Sequence, residues 1–339
     1  MAELRLDPIQ RRWVITGKRP TLPAAFDSGV ECPFCPGHEH YTPPSIYERK
    51  GADGRWDIRV FPDRSPLFRI EGDLDRAGEG MFDRMNALGA HEILVATRRH
   101  GVTLAQFSVE EVAEVIQVYR DRILDLKRDH RFRYVYLFKV QGRSGPPSQE
   151  HSCSQILATP VVPGVVEAEF RWSQFYFRRK ERCIFCDILQ QERESPRRIV
   201  EEVEGFISFC PYAARFPYEL WILPTEHSSS FEQDLMAPGR ASQLADILKS
   251  SLRRIERISP RLRMVIHTEP NMDAKRPTED WWKTIREDYH WHIEIVPELE
   301  TDPVYLVPEG FYFNPISAEE AAVVLRALEP DSGGALPEE

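Results

Sequence analysis

"HSCSQ", His151 to Gln155, and "HWHIE", His290 to Glu294, are the two stretches whose reading decides how this chain folds. Both open on histidine, and both close the same series of parts. A CxxC pair comes first, "CPFC" (Cys32, Cys35) or "CIFC" (Cys183, Cys186). Next is an apolar run ending in histidine, "EILVATRRH" to His100 or "ELWILPTEH" to His227, with glutamate and histidine at identical spacing. Then come "RYVYLFKVQG" or "RLRMVIHTEP", and finally the histidine-led stretch. Parts repeated in one order mark an internal duplication. The copies differ where it matters for chemistry: the second has His292 and the first has Cys153.

Each copy offers two cysteines and two histidines, the mixed sulfur and nitrogen set that zinc favours. The sets are Cys32, Cys35, His100, His151 and Cys183, Cys186, His227, His290. A lone CxxC would read equally as a redox pair, but two pairs with matching histidines read as metal ligands. Four protein ligands leave no open position for a metal-bound water. Two zinc ions per chain are therefore expected, in a structural role.

The runs "EILVAT", "RYVYLFKV", "QILATPVV", "ELWILP", "RMVIHT" and "WHIEIVP" predict short strands. "SVEEVAEVIQVYRDRILDLKRD" and "ASQLADILKSSLRRIERI" carry apolar residues at helical spacing. Each copy thus reads as a few antiparallel strands with one long helix. The segment "RRKER" before Cys183 is the natural joint, dividing the chain into residues 1–178 and 179–330.

With 339 residues, 42% of them apolar, the chain can bury one large core or two ordinary ones. The start lacks the apolar stretch of a secretory signal and no run is long enough to cross a bilayer, so a cytoplasmic location with no membrane partner is expected. A formal charge of −10, with no basic runs around either CxxC, argues against a nucleic-acid zinc protein. The expected partner is small.

"ELRLDPIQRRWVI", "CPFCPGHEHYTPPSIYE", "GAHEILVAT", "HSCSQILATPVVP", "CIFCDIL", "RFPYELWILPTEH" and "YHWHIEIVPEL" together resemble the galactose-1-phosphate uridylyltransferase family of the histidine-triad superfamily, from about Leu4 to Leu325. That family includes relatives acting as nucleotide-sugar phosphorylases. The resemblance implies an α+β fold of two tandem histidine-triad-like halves, each a mostly antiparallel sheet with helices, related by a pseudo-two-fold. It also implies a homodimer, a nucleotide sugar and a sugar phosphate as partners, and a two-step transfer in which a histidine takes a nucleoside monophosphate and passes it on.

By the resemblance, His100 and His151 match metal ligands of the first half, Gln155 matches a glutamine that bonds the transferred phosphate, and Ser148 matches a serine that contacts it. Asp63 and Arg64 open "DRSPLF", which stands where the family holds base and ribose; Asp63 replaces an asparagine. Lys18 and Arg19 are what remains of a basic stretch near the sugar phosphate. In the second half, Cys183, Cys186, His227 and His290 match one family metal site, and Glu169, His267, His290 and His292 match another. Both cysteines being present favours the former, with His267 and His292 beside it.

The family's nucleophilic histidine is Cys153 here, and Val140 stands where an asparagine is usual. A thiolate is a competent nucleophile toward phosphorus when the zinc, Arg143 or backbone N–H groups lower its pKa. The sequence thus supports a nucleotidyltransferase using Cys153, a phosphorylase or hydrolase acting by direct displacement, or a disabled nucleotide-binding relative.

Overall fold

The computed structural model describes residues 2–17, 32–142, 151–275, 280–299 and 311–328. Fourteen strands are formed among them: β1 (Glu3–Leu6), β2 (Trp13–Thr16), β3 (Tyr47–Lys50), β4 (Trp56–Pro62), β5 (Ala77–Glu79), β6 (Phe82–Asn86), β7 (Ala90–Val95), β8 (Tyr134–Gln141), β9 (Cys153–Thr159), β10 (Ile199–Val203), β11 (Phe206–Phe209), β12 (Leu220–Pro224), β13 (Leu262–His267) and β14 (His292–Pro297). The helices are α1 (Val109–Lys127), α2 (Gly164–Lys180), α3 (Ile184–Glu194), α4 (Phe231–Asp234), α5 (Arg240–Ile258), α6 (Ile285–Asp288) and α7 (Ala318–Ala327).

Ten strands form one sheet in the order β10-β11-β12-β14-β13-β8-β9-β7-β4-β3. Its two halves are the two copies read from the seam outward, β8-β9-β7-β4-β3 against β13-β14-β12-β11-β10. The seam is antiparallel, with Leu137 opposite Ile266 and Lys139 opposite Met264. The fold is thus α+β with two tandem repeats about a pseudo-two-fold, as expected, but the repeats share one sheet.

Alternation along the strands separates two faces. Val135 and Leu137 of β8, Ile156 and Ala158 of β9, and Met264 and Ile266 of β13 face the two long helices and join one buried cluster. Ser108 caps α1 in a reciprocal box with Glu111, and Val112, Val115, Ile116, Tyr119 and Ile123 form its buried stripe. In α5, Leu244, Ile247, Leu248, Leu252 and Ile255 do the same. One core therefore serves both repeats.

The other face is covered unequally. Over the second repeat lies α2: Val166 and Phe170 pack with Phe185, Ile207, Phe209, Leu223, Trp281 and Tyr289. The joint expected at 178/179 falls in the last turn of α2, which ends at Glu181 in a left-handed cap, φ 55. Over the first repeat, a small sheet ordered β2-β1-β6-β5 covers only the distal part, where Leu4, Phe68 and Met85 meet Leu157. Gly89 permits this approach, since a Cβ there would lie 2.2 Å from the Ala158 carbonyl oxygen and 2.9 Å from Phe68. Cys153 and Gln155 stay half-buried on the uncovered part.

Candidate functional site

The four predicted ligands of each repeat converge. In the first, Cys32 Sγ lies 3.8 Å from His151 Nδ1, and Cys35 Sγ lies 3.6 Å from His100 Nδ1 and 3.9 Å from His151 Nδ1. In the second, Cys186 Sγ is 3.4 Å from His227 Nδ1 and 3.8 Å from His290 Nδ1. Each set keeps its ligand atoms within 4.8 Å of one another, an arrangement able to hold a metal ion. Tetrahedral bonds of about 2.3 Å to sulfur and 2.0–2.1 Å to nitrogen would place S and N about 3.6 Å apart.

The remaining ring nitrogens are also matched. His151 Nε2 donates to the Thr97 carbonyl at 2.6 Å, and His290 Nε2 donates to the Pro224 carbonyl at 3.0 Å. These carbonyls stand at corresponding places in the two repeats, and the bonds leave Nδ1 as the free lone pair in both. Burial lowers the His151 pKa, which favours the neutral ring a metal needs. Burial and the adjacent Cys35 push Cys32 up, while the Cys183 hydrogen bond and the two imidazoles pull Cys186 down. A cation among the donors would stabilise both thiolates.

Beyond the shared histidine the repeats diverge. Cys153 packs at the edge of a small cluster with Phe34, Trp56, Phe61, Ile93 and Val95. Burial pushes its thiol up, opposed by the Lys139 ammonium. Lys139, itself buried, donates to Ser152 Oγ at 3.1 Å and to the Cys153 carbonyl at 3.2 Å. Gln155, two residues along β9, shares the face of Cys153, and its Oε1 lies 3.0 Å from His91 Nε2. Asp63 Oδ2 is 3.5 Å from the same nitrogen. Cys153, Gln155 and Asp63 thus gather on the uncovered face, whereas the Arg64 side chain is exposed. Lys18, Arg19, Arg143 and Ser148 lie outside the described residues. Cys210 is fully buried in the core.

In the second repeat the corresponding positions are closed over. Glu169 of α2, His267, His292 and Glu294 form a third group with potential ligand atoms within 4.8 Å. Glu169 Oε2 lies 3.2 Å from His267 Nδ1 and accepts from Tyr289 OH at 3.0 Å. Arg215 donates to Glu294 at 2.6 Å. His292 stacks between Trp221 and His267, and its buried Nε2 has no hydrogen-bond partner among the described residues. The pairing of His290 with the cysteines, expected from the sequence, leaves Glu294 in its place in this third group. Glu294, His91 and Lys139 were all missed by sequence reasoning. His91 and Glu294 lie inside quoted motifs, but only strand pairing reveals what they face.

Comparison with known proteins supports one family. The model for galactose-1-phosphate uridyl transferase, N-terminal domain, matches residues 9–163. An ADP-glucose phosphorylase of Arabidopsis thaliana is 29% identical over 340 residues, covering 96% of this chain and 93% of the relative. A galactose-1-phosphate uridylyltransferase of Thermotoga maritima is 27% identical over 344 residues, covering 97% and 99%. The crystal structure of an Arabidopsis thaliana ADP-glucose phosphorylase with bound ADP-glucose superposes with a TM-score of 0.73 at 28% identity, over 96% of this chain and 99% of that one. Matched along nearly its full length in both sequence and fold, the chain is similar to proteins of the galactose-1-phosphate uridylyltransferase family.

Proposed function

We propose that the protein is a nucleotidyltransferase that moves a nucleoside monophosphate between a nucleotide sugar and a phosphorylated acceptor. The carrying observation is the row on β9: Cys153 and Gln155 side by side on the uncovered face, immediately after a metal-cluster histidine. Zinc in both Cys2His2 sets, two ions per chain, would fix this strand without entering the reaction. The two repeats act as the units 1–178 and 179–330, and the protein works in the cytoplasm as a homodimer. Phe311, Tyr312 and Phe313, each more than half exposed, offer apolar surface for that association.

In the covalent route, the thiolate of Cys153 attacks the α-phosphorus, an S–P bond forms and the P–O bond to the sugar phosphate breaks. An oxygen of the acceptor phosphate then attacks phosphorus and the S–P bond breaks, restoring the thiolate. Gln155 donates to a non-bridging oxygen in both steps, and Asp63 receives ribose hydroxyls. Positioning and charge stabilisation carry most of such a transfer.

A second reading, direct attack by inorganic phosphate, gains support from the apolar packing of Cys153 and its raised thiol pKa, which both disfavour the thiolate. The likeness to an ADP-glucose phosphorylase favours the same acceptor. Incubation with ADP-glucose or UDP-glucose followed by intact-protein mass spectrometry separates the routes. The covalent route adds one nucleoside monophosphate to the parent and none to Cys153→Ala. Turnover in Cys153→Ala at the parental rate selects direct displacement, and no binding or turnover of any nucleotide sugar by the parent refutes both.

A further inference from the structure

His91 holds together three parts of the uncovered face. Its backbone carbonyl accepts from Asp63 N at 2.8 Å, and its ring Nδ1 accepts from Leu67 N at 3.3 Å. Both ends of the "DRSPLF" loop thus hang on this one residue. The ring itself is buried on β7, and its Nε2 reaches across to Gln155.

These bonds determine where the protons lie. A backbone N–H can only donate, so Nδ1 presents its lone pair to Leu67 and the ring is the neutral Nε2–H tautomer. Nε2–H needs an acceptor, and the atom 3.0 Å away is Gln155 Oε1; Asp63 Oδ2, at 3.5 Å, is a weaker second acceptor. With Oε1 committed to His91, the Gln155 amide cannot turn over. Its NH2 group faces away from His91 and makes no hydrogen bond among the described residues. Turned the other way, the amide would present a carbonyl oxygen to an incoming phosphoryl oxygen, lone pair against lone pair.

From this we infer that His91 is a positioning residue that locks the Gln155 amide with its two N–H donors toward the ligand, making the site selective for an acceptor-only group such as a phosphoryl oxygen. The same ring ties the orientation of that amide to the loop carrying Asp63, so the phosphate and nucleoside ends of the site are set together. The lock rests on the nucleotidyl-transfer reading for its purpose, but its geometry exists without ligand.

Two measurements on the zinc-loaded full chain test it. Selective 15N-histidine labelling, with His91→Phe as the assignment control, should show His91 as the Nε2–H tautomer before any nucleotide is added; an Nδ1–H or doubly protonated ring overturns the lock. For turnover of ADP-glucose with inorganic phosphate, His91→Phe should lower kcat by about 10- to 100-fold with KM changed by less than about threefold, because the amide donors act on charge developing at phosphorus. In a Gln155→Ala background the same substitution should cost almost nothing, since its target is gone. Losses that multiply instead show that His91 acts elsewhere and refute the proposal. If the parent turns over no nucleotide sugar, the functional reading falls while the ring tautomer still decides the lock.

Discussion

Cys153 and His292 occupy corresponding positions two residues after corresponding metal-cluster histidines, yet one is half-buried on an uncovered face and the other lies under α2. The difference is carried by neighbours as much as by the residues themselves. Gln155 in the first repeat is bonded through Oε1 to His91 and keeps its NH2 group unpaired among the described residues, whereas its counterpart Glu294 is tied to Arg215. Glu92 and Glu219 show the same divergence: Glu92 forms a two-bond pair with Arg122 of α1 at 2.9 and 2.6 Å, on the helix face. Glu219 instead shares Arg215 with Glu294, so its arginine knits the covered face together. Duplication supplied two equal strands, and one helix laid across one of them separated a site open to ligand from a packed polar interior.

Breaking the two Cys2His2 sets is the harshest way to test the comparison, because with zinc bound as proposed both repeats would depend on it alike. Cys32→Ser and Cys183→Ser should each lose about one equivalent of metal and lower Tm by more than roughly 10 °C. Metal analysis with calorimetry checks this, and two retained equivalents in either variant would remove that ligand assignment. Next is Gln155→Glu, which gives the first repeat the residue of the second. A carboxylate facing phosphate should cut kcat about 100- to 1000-fold while leaving Tm within a few degrees. Activity near the parental level would mean that Gln155 does not touch the reacting group.

Substituting the corresponding residues themselves should separate chemistry from stability. His292→Ala removes a ring stacked between Trp221 and His267 and should destabilise the fold by about 2–4 kcal/mol in denaturant unfolding. Cys153→Ala, at the edge of its cluster, should cost less than about 1 kcal/mol. Equal losses would contradict the contrast between an open and a closed position.

The smallest effect concerns pH. Burial opposes the charged form of His267, but Glu169 and Glu294 outweigh it and raise its pKa to about 10. A histidine held above its unfolded value of about 6.5 contributes stability that is fully present below that pH and is lost as pH rises through about 10. Burial and the neighbouring His267 lower His292 to about 4, so the fold loses stability as pH falls from about 6.5 toward 4. The Tm gap between parent and His267→Gln should therefore be larger at pH 6 than at pH 10. A constant gap would show that His267 is neutral in the folded protein.

The metal sets and repeat order were legible because ligand identity and spacing are properties of sequence. Both long helices and all six apolar runs fall on observed elements, although "QILATPVV" leaves its strand at Thr159. The edge strands β3 and β10, "YERK" and "IVEEV", were hidden by charged residues that suit a sheet margin. Helix α2 was missed because Val165, Trp172 and Phe175 place apolar side chains on its outer face and blur the helical period. Without α2 the unequal covering of the two repeats could not be foreseen. The role of His91 was hidden for another reason: its partners Leu67 and Gln155 come from a loop and a neighbouring strand, and tautomers follow only from bonds.

The seam between β8 and β13 also bears on how this chain could be divided. Severed between α2 and Cys183, each fragment would carry a free strand edge where its partner had been, with unpaired N–H and C=O groups and one flank of an opened core. Such an edge offers antiparallel pairing to the other fragment, and also to a second copy of its own kind, because the two margins descend from one template. Co-expressed pieces should therefore reassemble into the full sheet, while either piece alone should dimerise through the exposed margin or aggregate.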